Sequence, residues 1–217
     1  MRKRATLKLP GLRTEITLRS NGSDLACFEQ IFVHEELAFD MPAKPDLIID
    51  AGANIGLATI TLANRFPDAT IVALEVDAEN FRMLKLNTRG YSRVIALNKA
   101  LWRDEGYVKI ENPAAAAWSF RVVSAAATDP DAIPAVNIES ILRLIDRESV
   151  ALLKMDIEGA EFEMFASAES WLGSVRMLAV EIHETIRPGV TALFDSVIRP
   201  AARSCIRHGE YEVLHFP

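Results

Sequence analysis

The sequence predicts an α/β fold: a doubly wound, mainly parallel sheet preceded by an N-terminal extension. Three observations lead there. Short, wholly apolar runs such as Leu47-Ile48-Ile49 suit strands buried on both faces, as in parallel sheets. These runs alternate with segments of helical periodicity, and that rhythm marks βαβ units. The 217 residues, 50% of them hydrophobic, supply one substantial core but would cramp a second full domain.

The elements follow in chain order. Thr14-Glu15-Ile16-Thr17-Leu18 alternates like a half-buried strand. Asn21-Gly22-Ser23-Asp24 is a turn, and Ser23 or Asp24 is placed to cap a helix carrying Phe28, Ile31 and Phe32. Met41-Pro42-Ala43-Lys44-Pro45 breaks the chain. Residues 1–45 therefore read as an extension packed on a main domain of residues 46–217. In that domain Leu47–Ile49 is a strand, Leu57–Phe66 a helix, Thr70–Leu74 a strand, Ala78–Asn87 a helix and Arg93–Leu97 a third strand.

The middle is less regular. Tyr107–Ile110 and Phe120–Val123 suggest a hairpin, and residues 124–134, rich in Ala and Pro, read as loop. The pattern returns with a helix over Glu139–Ile145, a strand over Ala151–Met155, a helix over Ala160–Ala168 and a strand over Met177–Val180. Residues 190–207 look helical until Pro200, and Tyr211–Leu214 is a terminal strand.

Composition narrows the partners. The formal charge of -6 argues against nucleic acid, which needs a concentrated basic surface. Cys27 and Cys205 are far apart and form no CxxC pair, so a thiolate metal site is not indicated and a reduced, cytoplasmic setting is expected. No stretch approaches the ~20 apolar residues that span a bilayer. The basic start Met1-Arg2-Lys3-Arg4 is not followed by an apolar run of signal-peptide length.

The strongest chemical signal is Asp50-Ala51-Gly52-Ala53-Asn54-Ile55-Gly56. Its glycines stand where a strand turns into a helix, where a missing Cβ lets a ligand approach and a positive φ is tolerated. A dinucleotide-binding turn would read Gly-x-Gly-x-x-Gly, which this loop lacks. Asp50 would repel a phosphate and favour a cationic or amine-bearing group. Glu75 ends the next strand, 25 residues on, where an acid can accept both ribose hydroxyls. A sulfonium, an amine, a ribose and no phosphate describe S-adenosylmethionine better than NAD.

These residues carry a family resemblance. Asp50–Gly56 followed by Ala73-Leu74-Glu75, then Leu153-Lys154-Met155-Asp156-Ile157-Glu158-Gly159-Ala160-Glu161, then Val180-Glu181-Ile182-His183, resemble the FkbM-type branch of class I methyltransferases. The match runs in order from about Asp46 to His183. The resemblance implies a Rossmann-like sheet of the seven-stranded type and methyl transfer to a hydroxyl oxygen, often on a sugar or natural product. It implies that Asp50, Gly52, Asn54 and Gly56 cradle the methionine part. By the same match Glu75 holds the ribose, Asp77 and Asn80 flank the adenosine, and Lys99-Ala100 lies near adenine. Two departures stand out. Val76 occupies the place of the usual Pro, and the 34 residues beyond His183 leave the last sheet strand in doubt.

A sugar hydroxyl is a weak acid, so a base or a metal ion helps its transfer. Asp156, Glu181 and His183 are the catalytic candidates, because they follow strands whose carboxyl ends face one cleft in a parallel sheet. Three readings compete. His183 is a general base; or Asp156, Glu181 and His183 hold a divalent cation; or the glutamates cap the next helix and His183 is structural, which suits Glu161 best. Lys154 inside a buried strand must snorkel or pair with a carboxylate. Trp118 and Trp171 are candidates for stacking on a ligand, with packing favoured for Trp171. Two other function classes stay open: a cofactor-binding module without catalysis, and a nucleotide-dependent oxidoreductase, which Asp50 and the absent glycine pattern disfavour. The acceptor itself is not legible.

Overall fold

The computed structural model describes residues 3–20, 22–110 and 122–217. Strands β1 (Arg4–Leu7) and β2 (Ile16–Arg19) pair antiparallel. Helix α1 (Asp24–Phe28) follows and widens into a π turn over Glu29–Val33. Neither expected cap forms. Ser23 makes no capping bond, and the Asp24 carboxylate instead accepts from the Arg19 guanidinium and backbone N–H. A charge-assisted bond inside a protein outweighs a neutral cap.

The main sheet begins with β3 (Leu47–Ala51), α2 (Leu57–Arg65), β4 (Thr70–Leu74), α3 (Ala78–Thr88) and β5 (Val94–Leu97). Four short strands come next: β6 (Ala100–Leu101), β7 (Gly106–Ile110), β8 (Val122–Ala125) and β9 (Ile133–Val136). They form a separate small sheet in the order β6-β9-β7-β8. The expected hairpin is therefore present as β7 and β8, although Phe120, Arg121 and Trp118 lie outside the described residues. β9 replaces the end of the expected loop over 124–134. Pro134 fits there because its missing N–H is tolerated where a ladder bond is not required.

The chain then returns with α4 (Ile138–Ile145), β10 (Leu152–Met155), α5 (Glu161–Ala166) and β11 (Met177–Glu181). Asn137 caps α4 by accepting from Ser140 N–H. The stretch expected to stay helical to Pro200 is split into α6 (Val190–Leu193) and short π and 3₁₀ turns, and it ends as β12 (Ser204–His208). β12 pairs with β13 (Tyr211–His215), and β13 lies antiparallel to β11. Among the described residues the sheet thus has seven strands, ordered β12-β13-β11-β10-β3-β4-β5. The strand left in doubt is supplied by this hairpin. β12 is an edge strand of mixed exposure, so no alternating apolar pattern announces it.

Successive residues of β3 feed opposite cores. Leu47, Ile49 and Ala51 join one apolar cluster with Val72, Leu153 and Phe165. Ile48 joins the other with Ile60, Ile71 and Leu152, where Ile16, Leu18, Leu37 and Phe39 of the N-terminal segment are also buried. No helix among the described residues is long and apolar enough to cross a membrane.

The order β10-β3-β4 decides where a ligand can sit. The chain leaves β3 in one direction and returns beside it as β10, and the helices that follow them, α2 and α5, pack on opposite faces of the sheet. Open α/β sheets bind ligands in the crevice at the carboxyl ends of such strands.

Candidate active site

The loop after β3 is shaped by contact with the loop after β10. Gly52 has φ +77°, and a Cβ on it would fall on the Asp156 carbonyl oxygen. Glycine is required there for the two loops to touch. Gly52 and Ala53 N–H donate to Leu74 O at 3.1 and 2.9 Å, which binds the loop to the end of β4.

A cleft opens between these ends, at the carboxyl edge where open α/β sheets bind ligands. Gly52, Asn54, Glu75, Asn80, Lys99 and Asp156 help line it. Glu75 is 7% exposed; its Oε2 accepts from Asn54 N–H and its Oε1 from Asp77 N–H, both at 2.7 Å. Burial pushes this carboxyl up to about 7, against the two backbone bonds. A carboxylate has about four lone-pair sites, so two stay free for the cleft. Asn98, which the sequence reading passed over, holds the end of β4 by donating to Glu75 O and Val76 O at 2.7 and 3.1 Å. Asn80 accepts from Arg19 at 2.7 Å, which ties the N-terminal segment to the cleft wall.

Three expected cofactor residues are placed differently. Asp50 is fully buried. Its Oδ2 accepts from Thr59 Oγ1 at 2.6 Å, and its Oδ1 is 3.3 Å from Lys154 Nζ. The cation that Asp50 attracts is internal, so it braces the loop and does not line the cleft. Gly56, φ +89°, packs against Leu84 of α3. Asp77 caps α3 through Glu79 and Asn80 N–H, which occupies its carboxylate. Lys154 resolves as a buried hub: Nζ donates to Gly52 O at 2.9 Å and lies 3.5 Å from Asp156 Oδ2. Trp171 donates to Met164 O inside the core and takes no part.

At the other end of the cleft, Asp156, Glu158, Glu161 and Glu181 surround His183. Glu161 is fully buried. It accepts from Ile157 and Gly159 N–H at 2.9 and 2.7 Å and sits 3.0 Å from His183 Nδ1. Nε2 faces Glu181 at 3.4 Å, Glu158 at 3.5 Å and Asp156 at 3.7 Å. Burial alone would lower the imidazole pKa, but the hydrogen bonds to Glu161 and Glu181 prevail and raise it to about 11. Burial, helped by Asp156, lifts the Glu158 carboxyl to about 8. His183 is therefore an imidazolium at neutral pH in the free protein, and an imidazolium is not a base.

The structure also alters the expected metal set. Asp156, Glu158 and His183 offer donor atoms all within 4.8 Å of one another, so Glu158 enters where Glu181 was expected. The signal for Glu158 was the Glu158-Gly159 pair. Both residues take positive φ, +55° and +93°, turning the Glu158 side chain back over the cleft beside Asp156.

Residues 50–201 match the FkbM methyltransferase domain. The hexuronic acid methyltransferase AglP of Haloferax volcanii is 25% identical over 154 residues, which cover 70% of this chain and 62% of that protein. The chain thus spans less than two thirds of that relative. Two solved structures each superpose with a TM-score of 0.50. One is the pre-rRNA processing protein fibrillarin of Methanococcus jannaschii, 10% identical, over 97% of this chain and 80% of that one. The other is a protein assigned as a transferase from Pyrococcus horikoshii, 17% identical, over 98% and 70%. Identities this low speak for the fold alone, and the fold is that of a Rossmann-like methyltransferase. With the matched domain covering most of its length, the chain belongs to the FkbM family of S-adenosylmethionine-dependent methyltransferases.

Proposed function

We propose that the protein transfers the methyl group of S-adenosylmethionine to a hydroxyl oxygen of a sugar or a similar small polyhydroxylated molecule. One observation carries this reading: a single cleft is lined by a ribose-suited acid, Glu75, and by Asp156 and Glu158, both of which face His183. The residues fit the cofactor. Glu75 keeps lone pairs for ribose hydroxyls. Asn54, which lines the cleft, has a buried Oδ1 without a hydrogen-bond partner among the described residues, suited to an amino group. Lys99 and Ala100 form the wall on which the base would rest.

The bound cofactor supplies a sulfonium methyl that is already electrophilic. The protein must align the acceptor and receive its proton. Asp156 lines the cleft and stands at the carboxyl edge of β10. It accepts the hydroxyl hydrogen bond and takes the proton as the oxygen attacks. His183, kept as a cation by Glu161 and Glu181, offsets the repulsion among the acids. A second reading rests on the Asp156–Glu158–His183 donor set. His183 donating Nδ1–H to a fixed carboxylate is how metal-ligating imidazoles are oriented. These three side chains would then hold a divalent cation that acidifies the acceptor hydroxyl.

The hydroxyl target draws support from the absence of an Asn/Asp-Pro-Pro-aromatic segment of the kind amino-group methyltransferases carry, and the sugar class from the name of the Haloferax relative. The acidic cleft suits a nucleic acid poorly. The test is release of S-adenosylhomocysteine from S-adenosylmethionine with a panel of glycosides, with and without Mg²⁺ or Mn²⁺. Asp156→Asn should lower kcat about 100-fold or more while cofactor affinity stays near wild type. Product formed equally fast by that variant would remove Asp156 as the base. Failure of the protein to bind either form of the cofactor in calorimetry would sink the whole reading.

A further inference from the structure

A second cavity lies beside the Gly52 loop. It shares Gly52, Asn54 and Asp156 with the first cleft. Its outer wall comes from elsewhere in the chain: Gln30 and Glu36 of the N-terminal segment, and Glu181 and Tyr211 from the neighbouring ends of β11 and β13. That wall is held shut. Gln30 Nε2 donates to Glu210 Oε2 at 2.7 Å, His208 Nε2 lies 3.3 Å from Glu35 O, and the Phe39 and His208 rings meet edge to face at 5.7 Å.

Glu36 is the unexplained group in this wall. It is 8% exposed, and its carboxylate has no hydrogen-bond or ion-pair partner among the described residues. It lines the cavity with no ion-pair partner among the described residues, so a ligand entering there meets an acid that no fixed cation neutralises. The Gly209 backbone packs beside it, with the Glu36 Cγ 3.2 Å from where a Cβ would stand. The cation of the cavity, Lys154, is already engaged by Gly52 O, Asp50 and Asp156. Burial and the nearby Glu210 and Glu181 push the Glu36 carboxyl above the usual range. A ligand presenting hydrogen-bond donors or positive charge would relieve all of these strains together. One presenting a carboxylate would add to them, with or without a divalent cation at Asp156.

We propose that this second cavity is the methyl-acceptor pocket, and that Glu36 selects neutral or amino-bearing sugars and rejects uronic acids. The inference rests on the methyltransferase reading above and parts from the substrate named for the Haloferax relative. The amino-acid end of the cofactor is the rival occupant. Its own carboxylate suits the free N–H groups at the start of α2, on the inner side of the cavity, and not the Glu36 wall.

The experiment titrates protein saturated with S-adenosylhomocysteine with the methyl glycosides of 2-amino-2-deoxyglucose, glucose and glucuronic acid. The amino and neutral glycosides should bind at least about tenfold more tightly than the glucuronide. Glu36→Gln should shrink that gap several-fold while S-adenosylhomocysteine affinity stays unchanged. Equal or tighter binding of the glucuronide overturns the proposal, as does a failure of all three to bind. A Glu36→Gln variant that loses cofactor affinity instead assigns the wall to the cofactor and also overturns it. Ordered binding of the three glycosides without methyl transfer to any of them would uphold the selectivity and refute the enzymatic reading beneath it.

Discussion

The Nδ1 atom of His183 lies 3.0 Å from Oε1 of Glu161, a carboxylate with no solvent exposure. Glu161 is itself pinned by the N–H groups of Ile157 and Gly159. The imidazole is thereby fixed with Nδ1–H towards the core and Nε2 towards Asp156, Glu158 and Glu181. Glu161 is not among the residues lining the cleft; its contact is with His183.

Replacing Glu161 by Gln should therefore change His183 before it changes binding. The His183 ring should stay protonated through neutral pH in the wild type and titrate well above the ordinary value near 6.5. In the variant its titration should move down, as followed by NMR of the ring protons. kcat should fall about tenfold or more, with little change in the KM for cofactor. A His183 titration that is identical in both proteins would show that Glu161 serves the loop alone.

With Glu75 holding the ribose as proposed, cofactor affinity depends on pH. Burial raises its folded pKa to about 7, above an unfolded value of roughly 4.3, while ribose hydroxyls bind the ionised form. Affinity for S-adenosylmethionine should weaken as pH falls below 7, by up to about tenfold per unit. The stability of the free protein runs the other way. A raised carboxyl pKa contributes stability that is complete below the unfolded value and lost as pH rises through 7. Calorimetry and urea denaturation between pH 5.5 and 8.5 should show the two trends crossing, and Glu75→Gln should flatten both. These pH limits bracket the expected transition to within about 1.5 units.

Lys154→Met should be strongly destabilising. It leaves Asp50 fully buried without its cation, and breaking one side of a buried pair costs about 3–5 kcal/mol. The double variant Lys154→Met/Asp50→Leu should recover much of that loss, because two apolar groups can replace a buried pair at small cost. Urea midpoints of the wild type and the two variants test it. A single variant as stable as the wild type would mean that the pair does not brace the loop.

Gly52→Ala should fail for a steric reason independent of any ligand. Its Cβ would fall on the Asp156 carbonyl oxygen, at a φ of +77° that alanine rarely adopts. We expect poor soluble yield or a stability loss above about 3 kcal/mol. Gly173→Ala is the control, since nothing lies within 4 Å of its Cβ position. It should behave like the wild type in the same denaturation series.

Much of this was legible from residue order. The apolar runs at Leu47–Ile49, Thr70–Leu74 and Met177–Val180 became central parallel strands because burial on both faces demands uninterrupted hydrophobicity. Glu75, Asn54 and Gly52, which line the cleft, stood out because a strand-end acid and a glycine turn are local features. β12 and β9 were not legible. Their residues carry no alternating pattern, and pairing with a neighbour makes them strands. Glu36 was invisible for a related reason: nothing near it in sequence marks it as buried, and the wall it forms is closed by residues more than 170 positions away.

Asp50 shows where the division falls. The sequence by itself determined that an acid ends the first core strand, that glycine follows, and that a ligand belongs in the turn. It read that acid as the ligand's partner. Only the tertiary structure decided otherwise, by bringing Lys154 from the adjacent strand to within 3.3 Å of it. A buried charge takes the nearest available counter-charge, and which one is nearest depends on strand order. The same strand order set His183 among four carboxylates, at distances that hold its proton.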